Sequence, residues 1–139
     1  GRKYRRIYTD PIKVNHKIID MVNKIFKIKS LHTNHCFDIE NNKIKLKIVS
    51  DSDSQLWKMD DKHRIIHVTT NKFLDFDYER DLVISMNDEN IWDIYECGYI
   101  INSKYNMAVD FKGGLRDRRL EPWLYGFNQS KAQQWEFIN

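Results

Sequence analysis

The chain has 139 residues, a size that suits one compact domain and leaves no room for several large ones. Basic and acidic side chains number 23 and 20, so the net charge of +3 excludes a strongly charged polyelectrolyte. Two cysteines, Cys36 and Cys97, exclude a disulfide framework, and no apolar stretch approaches the roughly 20 residues of a membrane-spanning helix.

Residues 1–21 are predicted to form an arm or linker and not a domain. Basic side chains surround two tyrosines at its start, in the order Arg2, Lys3, Tyr4, Arg5, Arg6 and Tyr8. Such a cluster can contact phosphate, sulfate or acidic lipid, so polyanion binding through this arm is one functional alternative. A solvated arm is the favoured interpretation, and we do not expect nucleic acid as the partner.

The rest of the chain repeats a two-part pattern three times. The first part is a small or apolar residue, an apolar residue, Asp and another apolar residue, found at Cys36–Ile39, Phe73–Phe76 and Ala108–Phe111. The second part is an amide, any residue and tryptophan, found at Gln55–Trp57, Asn90–Trp92 and Gln133–Trp135. Because the order of the two parts never changes, the chain is predicted to contain three versions of one structural unit.

Local patterns predict that each unit consists of about four short strands. Lys43–Ile48 alternates charged and apolar residues with a period of two, as a half-buried strand does, and Asp81–Ser85 occupies the same place in the second copy. In the third copy Lys112–Gly114 supplies the turn, because glycine reaches positive φ without steric cost. Three incomplete units bury their tryptophans by closing around a shared axis, which predicts an all-β fold, a β-trefoil.

The repeated Asp motif followed by Q-x-W resembles the repeat of the ricin B-type lectin family. The resemblance covers 22–139, with repeats at about 22–61, 62–96 and 97–139, although Asn90 replaces Gln and the paired cysteines of many members are absent. It implies a β-trefoil that binds glycans or glycoproteins, such as galactose-type or N-acetylated sugars, without catalysis or a cofactor. It also favours a secreted or cell-surface protein.

In that family the matching Asp accepts hydrogen bonds from two sugar hydroxyls, while an aromatic ring stacks on the sugar. The strand after the Asp has no ring near Lys47 in the first copy or near Ser85 in the second. The resemblance therefore implies one intact site, in the third copy, made of Asp110, Gly113, Trp123 and Gln133 with Glu121 and Tyr125 as neighbours, and with Ala132 in place of a common Asn. The matching residues of degenerate sites are Asp38, Gln55, Asp75 and Asn90.

Structural interpretations stand beside each of these assignments. Trp57, Trp92 and Trp135 are predicted to lie in the core. The Gln and Asn amides either satisfy backbone groups of the adjoining loop, face a ligand, or do both, and the aspartates either cap turns or bind a ligand. Trp123 and Tyr125 either stack on sugar or pack under the last loop. A trefoil with decayed sites that binds a protein partner is the second functional alternative.

Neither a metal site nor a catalytic site is predicted. The histidines lack the spacing of a zinc site, and no nucleophile accompanies a base. The five histidines are His16, His32, His35, His63 and His67.

Overall fold

A computed structural model describes residues 14–139, so the basic cluster of the predicted arm lies outside the described residues. The first group of strands is β1 (Ile25–Ser30), β2 (His35–Glu40), β3 (Lys43–Ile48) and β4 (Trp57–Met59). The second is β5 (Ile65–His67), β6 (Phe73–Phe76), β7 (Leu82–Ser85) and β8 (Trp92–Ile94). The third is β9 (Ile100–Asn102), β10 (Met107–Phe111), β11 (Pro122–Gly126) and β12 (Trp135–Ile138). Short 3-10 turns cover Asp53–Gln55, Glu96–Gly98 and Lys131–Gln133, and no α-helix occurs between residues 14 and 139.

The pairing of the strands repeats from one group to the next. The last strand of each group pairs antiparallel with the first strand of the following one, as β4 with β5, β8 with β9, and β12 with β1. The second and third strands of each group form an antiparallel hairpin. Because β4 also pairs with β1, the larger sheet closes on itself. This arrangement confirms the predicted β-trefoil of three four-stranded repeats.

The repeated tryptophans fill the interior of the trefoil, as predicted. Trp57 and Trp92 have no exposed surface and Trp135 is 2% exposed. Phe37 packs edge-on against two of them, with ring centroids 6.0 Å from Trp57 and 5.2 Å from Trp135. Burial of these large rings removes much apolar surface from water and joins the three repeats into one core.

Residues just before β1 lie alongside the trefoil. The Ile19 N–H donates to the Ile94 carbonyl over 2.8 Å, and isolated bridges join Ile18 to Tyr95 and Val22 to Met59. Cys36 and Cys97 are both free thiols. No helix in the described part of the chain is long and apolar enough to cross a membrane.

The indole N–H groups of two core tryptophans differ in their hydrogen bonding. Trp135 Nε1 donates to the Val109 carbonyl over 3.0 Å, whereas Trp92 Nε1 is buried without a hydrogen-bond partner among residues 14–139. Phenylalanine in place of Trp135 therefore removes the indole donor from the buried Val109 carbonyl, while the same change at Trp92 breaks no such bond. We expect Trp135→Phe to cost about 1–3 kcal/mol more unfolding free energy than Trp92→Phe. Urea denaturation of both variants measures the difference, and equal losses would contradict it.

Candidate functional site

The aspartate of the repeated motif is held by the glutamine of Q-x-W in two repeats. Gln55 Nε2 donates to Asp38 Oδ2 over 3.1 Å, and Gln133 Nε2 donates to Asp110 Oδ2 over 2.9 Å. Both aspartates are buried, at 6% and 7% exposure, and both glutamines are almost completely enclosed. The glutamines therefore serve to fix the carboxylates.

Each of these glutamines also holds the loop that precedes it. The Gln133 side chain donates to the Gly126 carbonyl over 2.8 Å and accepts the Asn128 N–H over 2.9 Å. Gln55 makes the same pair of bonds, to the Ile48 carbonyl over 3.0 Å and from the Ser50 N–H over 2.9 Å. In both repeats the glutamine amide therefore bonds to backbone groups of the adjoining loop, which is one of the two roles that the sequence leaves open.

The second repeat uses its shorter amide differently. Asn90 Nδ2 donates to Asp75 Oδ1 over 2.6 Å, while Ser85 Oγ donates to Asp75 Oδ2 over 2.7 Å. The Phe76 N–H adds a bond to Oδ1 over 2.8 Å. Both oxygens of Asp75 are therefore occupied by protein donors. Tyr105 lines the depression beside Asp75. It was not predicted there, because it belongs to the β9–β10 loop of the third repeat and is far from Asp75 in the sequence.

Asp110 differs from the other two aspartates in its second carboxylate oxygen. In the first repeat the Ile39 N–H donates to Asp38 Oδ1 over 2.7 Å, so both oxygens of Asp38 accept bonds. In the described part of the chain, Gln133 is the one hydrogen-bond donor to Asp110, and it uses Oδ2. Among the three motif aspartates, Asp110 Oδ1 is therefore the one carboxylate oxygen to which no residue of 14–139 donates a hydrogen bond.

Asp110 lies in an open depression of about 480 Å³ at one end of the β10–β11 hairpin. Four of the six predicted site residues line it, namely Asp110, Gly113, Trp123 and Tyr125. Gln133 is fully buried and reaches the depression through its bond to Asp110. Glu121 is not a lining residue, and its carboxylate lies 3.7 Å from the Lys45 ammonium.

The other four lining residues were not predicted as members of the site. Gly114, Asn128 and Ser130 complete the wall together with Ala132, the position where the family resemblance implies a common Asn. Asn128 and Ser130 stand on the loop between β11 and Gln133. A loop has no periodicity that reveals which side chains face a cavity. The only feature of the sequence that could have suggested Asn128 and Ser130 as site residues is their place shortly before Gln133.

Two aromatic rings form one wall of the depression. Trp123 pairs across the hairpin with Asp110, and Tyr125 pairs with Ala108. The two rings are stacked, with centroids 5.4 Å apart and planes inclined by 19°. Trp123 is half-buried, whereas Tyr125 is 44% exposed. Tyr125 is therefore the more accessible ring, and Trp123 supports it.

The corresponding strands of the other repeats have no ring at either position. The residues paired with Asp38 and Asp75 are Lys45 and Val83. Two positions further along, where the third repeat has Tyr125, stand Lys47 and Ser85. The register therefore aligns the predicted empty positions near Lys47 and Ser85 with Tyr125, and not with Trp123.

Burial governs the charge state of the carboxylate at the centre of the site. Removal from water raises the pKa of Asp110 above the usual aspartate value, and the Gln133 amide opposes this by stabilising the anion. The Trp123 indole N–H acts in the same sense as Gln133, although it does not reach hydrogen-bond geometry and has no partner among the described residues. Asp110 is thus a carboxylate with little water around it, which strengthens any hydrogen bond that it accepts.

Among residues 14–139, which include all five histidines, no histidine belongs to a group of possible metal ligands. His67 is buried, with its ring nitrogens bonded to Thr70 and to the Ser54 carbonyl, and His63 lies 3.3 Å from Asp93. Among residues 14–139, the one group of possible ligand atoms lying close together is the carboxylate trio Asp77, Glu79 and Asp81. Asp81 is already paired with Lys112 over 2.7 Å.

Comparison with known proteins identifies the same β-trefoil domain. The family model described as the ricin-type beta-trefoil lectin domain matches residues 24–135. The solution structure of the mdaA-1 domain is similar, with a TM-score of 0.76 at 17% identity over 92% of this chain and 97% of that one. The earthworm R-type lectin C-half in complex with GalNAc has a TM-score of 0.72 at 16% identity, covering 82% of this chain and 97% of that one.

A third solved structure is also similar to this chain. The Macrolepiota procera ricin B-like lectin in complex with lactose has a TM-score of 0.73 at 14% identity, covering 86% of this chain and 98% of the lectin. A sequence comparison with curated proteins finds no match. At these identities the likeness to solved structures establishes the fold.

Proposed function

The chain belongs to the ricin-type β-trefoil lectin domain family, and we propose that it is a carbohydrate-binding module with one working site, in the third repeat. The proposal depends on one observation, that Asp110 combines a free carboxylate oxygen with an aromatic wall. Asp38 and Asp75 have both oxygens occupied and no ring on the adjoining strand. A sugar needs both features, because a carboxylate selects hydroxyl groups and a ring covers the C–H face.

The residues of the depression divide this work among themselves. Asp110 Oδ1 accepts a sugar hydroxyl, and the exposed ring of Tyr125 packs against the pyranose with Trp123 behind it. Asn128 and Ser130 offer polar groups on the opposite loop. A galactose-type or N-acetylated hexose is the proposed ligand, since the Macrolepiota procera and earthworm neighbours were solved with lactose and GalNAc. We infer that this arrangement binds its ligand without catalysing a reaction.

Asp110→Asn tests the carboxylate while preserving its shape. The asparagine oxygen still accepts the Gln133 bond, but an NH2 group replaces the free acceptor oxygen. We expect the affinity for lactose or GalNAc to fall about 10- to 100-fold, because a charge-assisted hydrogen bond contributes about 1.5–3 kcal/mol. Isothermal titration calorimetry, preceded by a glycan array, measures the change.

Matched variants in the first repeat provide the control. Asp38→Asn makes the same chemical change at an aspartate whose oxygens are both occupied, and Lys47→Ala mirrors Tyr125→Ala at the equivalent strand position. We expect these two to bind like the unaltered protein and Tyr125→Ala to bind weakly. Absence of any sugar binding, or equal binding by Asp110→Asn and Asp38→Asn, would reject the proposal.

A further inference from the structure

The Trp123 ring is engaged by two cations from outside its own strand. The Arg80 guanidinium carbon lies 4.7 Å from the ring centroid, and the Lys112 ammonium lies 5.1 Å from it. A cation at such a distance is attracted by the negative face of the indole ring. Arg80 belongs to the turn between β6 and β7, so one of the two cations comes from the second repeat.

The backbone of Arg80 is fixed directly to the strand that carries the two rings. The Leu124 N–H, between Trp123 and Tyr125, donates to the Arg80 carbonyl over 2.8 Å. The Arg80 N–H donates to the Asp77 carbonyl over 2.9 Å, and Arg80 adopts a φ of 71°. The turn is therefore held in a defined conformation against β11, which limits the positions open to the Arg80 side chain.

Lys112 is fixed by a different contact with the same turn. Its ammonium lies 2.7 Å from Asp81 Oδ1, and Asp81 is 7% exposed. An isolated β-bridge joins Asp81 to Trp123 itself. The 77–81 turn of the second repeat thus carries Arg80, pairs with Lys112 and contacts the backbone of Trp123. Unlike Lys112, Arg80 has no ion pair among the described residues.

We propose that Arg80 is a positioning residue of the third-repeat site, which holds Trp123 by a cation–π contact and through it the exposed ring of Tyr125. This inference rests on the proposed sugar site. Fixing the rings favours sugar binding for an entropic reason, because a ring that is already held in place loses less conformational freedom when the ligand packs against it. The second repeat therefore contributes to binding although its own aspartate has no free oxygen.

Arg80→Gln removes the cation and keeps a long polar side chain. We expect lactose affinity to fall about two- to fivefold, because an exposed cation–π contact contributes about 0.5–1 kcal/mol. Arg80→Lys retains a cation and should recover most of the affinity. Arg64→Gln is the matched control, since the Arg64 guanidinium lies 5.0 Å from the Phe73 ring, which does not line the site.

A spectroscopic measurement separates positioning from a general loss of stability. In protein labelled with 5-fluorotryptophan, the fluorine resonance of Trp123, assigned with Trp123→Phe, should shift or broaden in Arg80→Gln. It should remain in place in Arg80→Lys and in Arg64→Gln. An unchanged resonance, unchanged affinity in Arg80→Gln, or Arg80→Lys binding no better than Arg80→Gln would overturn the inference.

The two proposals fail in distinguishable ways. If the unaltered protein binds no sugar, the proposed function fails, while the Trp123 resonance still reports whether Arg80 holds the ring. If lactose binding depends on Asp110 but not on Arg80, the sugar site stands and the positioning role is rejected.

Discussion

Gly98→Ala is expected to lower the free energy of unfolding by about 2–5 kcal/mol, the sum of a backbone cost of about 1–2 kcal/mol and a steric cost of about 1–3 kcal/mol. Gly98 has a φ of 87°, where an L-residue is strained. An added Cβ would lie 2.6 Å from the Trp135 backbone nitrogen and closer still to its carbonyl oxygen. Trp135 stands on β12, which is paired with β1, so it has little room to move away.

Gly114→Ala separates the two costs. Gly114 has a similar φ of 92°, but an added Cβ would meet nothing within 4 Å. We expect this variant to lose about 1–2 kcal/mol, from the backbone cost alone. Equilibrium denaturation in urea measures both losses, and a Gly98→Ala loss no larger than that of Gly114→Ala would show that close packing against Trp135 is unimportant.

Gln133→Ala should destabilise the protein by about 3–5 kcal/mol, although the resemblance to sugar-binding repeats implies a ligand role for this residue. Its side chain makes bonds to the Asp110 carboxylate, the Gly126 carbonyl and the Asn128 N–H. A charge-assisted bond contributes about 1.5–3 kcal/mol, and each buried group left unpaired costs about 1–3 kcal/mol. Water that enters the space relieves part of this cost. Thermal and urea denaturation provide the measurement.

The adjacent residue and the first repeat supply the comparisons for Gln133→Ala. Gln134 is half-buried and bonds to His32 at an exposed position, so Gln134→Ala should cost less than about 1 kcal/mol. Gln55 makes the same three bonds in the first repeat, and Gln55→Ala should therefore match Gln133→Ala. If Gln133→Ala proves as mild as Gln134→Ala, the hydrogen-bonded frame does not stabilise the fold.

The three aspartate motifs look nearly alike in the sequence, and their chemical difference was only partly predictable. The rings on β11 are visible in the sequence, so the third repeat could be singled out from residue types alone. The free oxygen of Asp110 was not predictable, since it depends on whether a following backbone N–H turns toward the carboxylate. That N–H does so at Ile39 and Phe76.

Other details of the site also depended on position in space. Glu121 stands two residues before Trp123 in the sequence, yet its carboxylate is directed to Lys45 of the first repeat. Trp123 was the predicted stacking ring, but its neighbours leave Tyr125 as the more exposed one. Residue type indicated an aromatic wall, while the roles of the two rings within it followed from what packs against each.

The sequence by itself determined the threefold architecture, because burial of Trp57, Trp92 and Trp135 in one interior requires the same local pattern in each copy, and local patterns are readable along the chain. The tertiary structure alone decided that Arg80 of the second repeat meets Trp123 of the third. The physical reason is that such contacts join residues far apart in the chain, which meet only when the sheets close, and no local pattern encodes which side chains then touch.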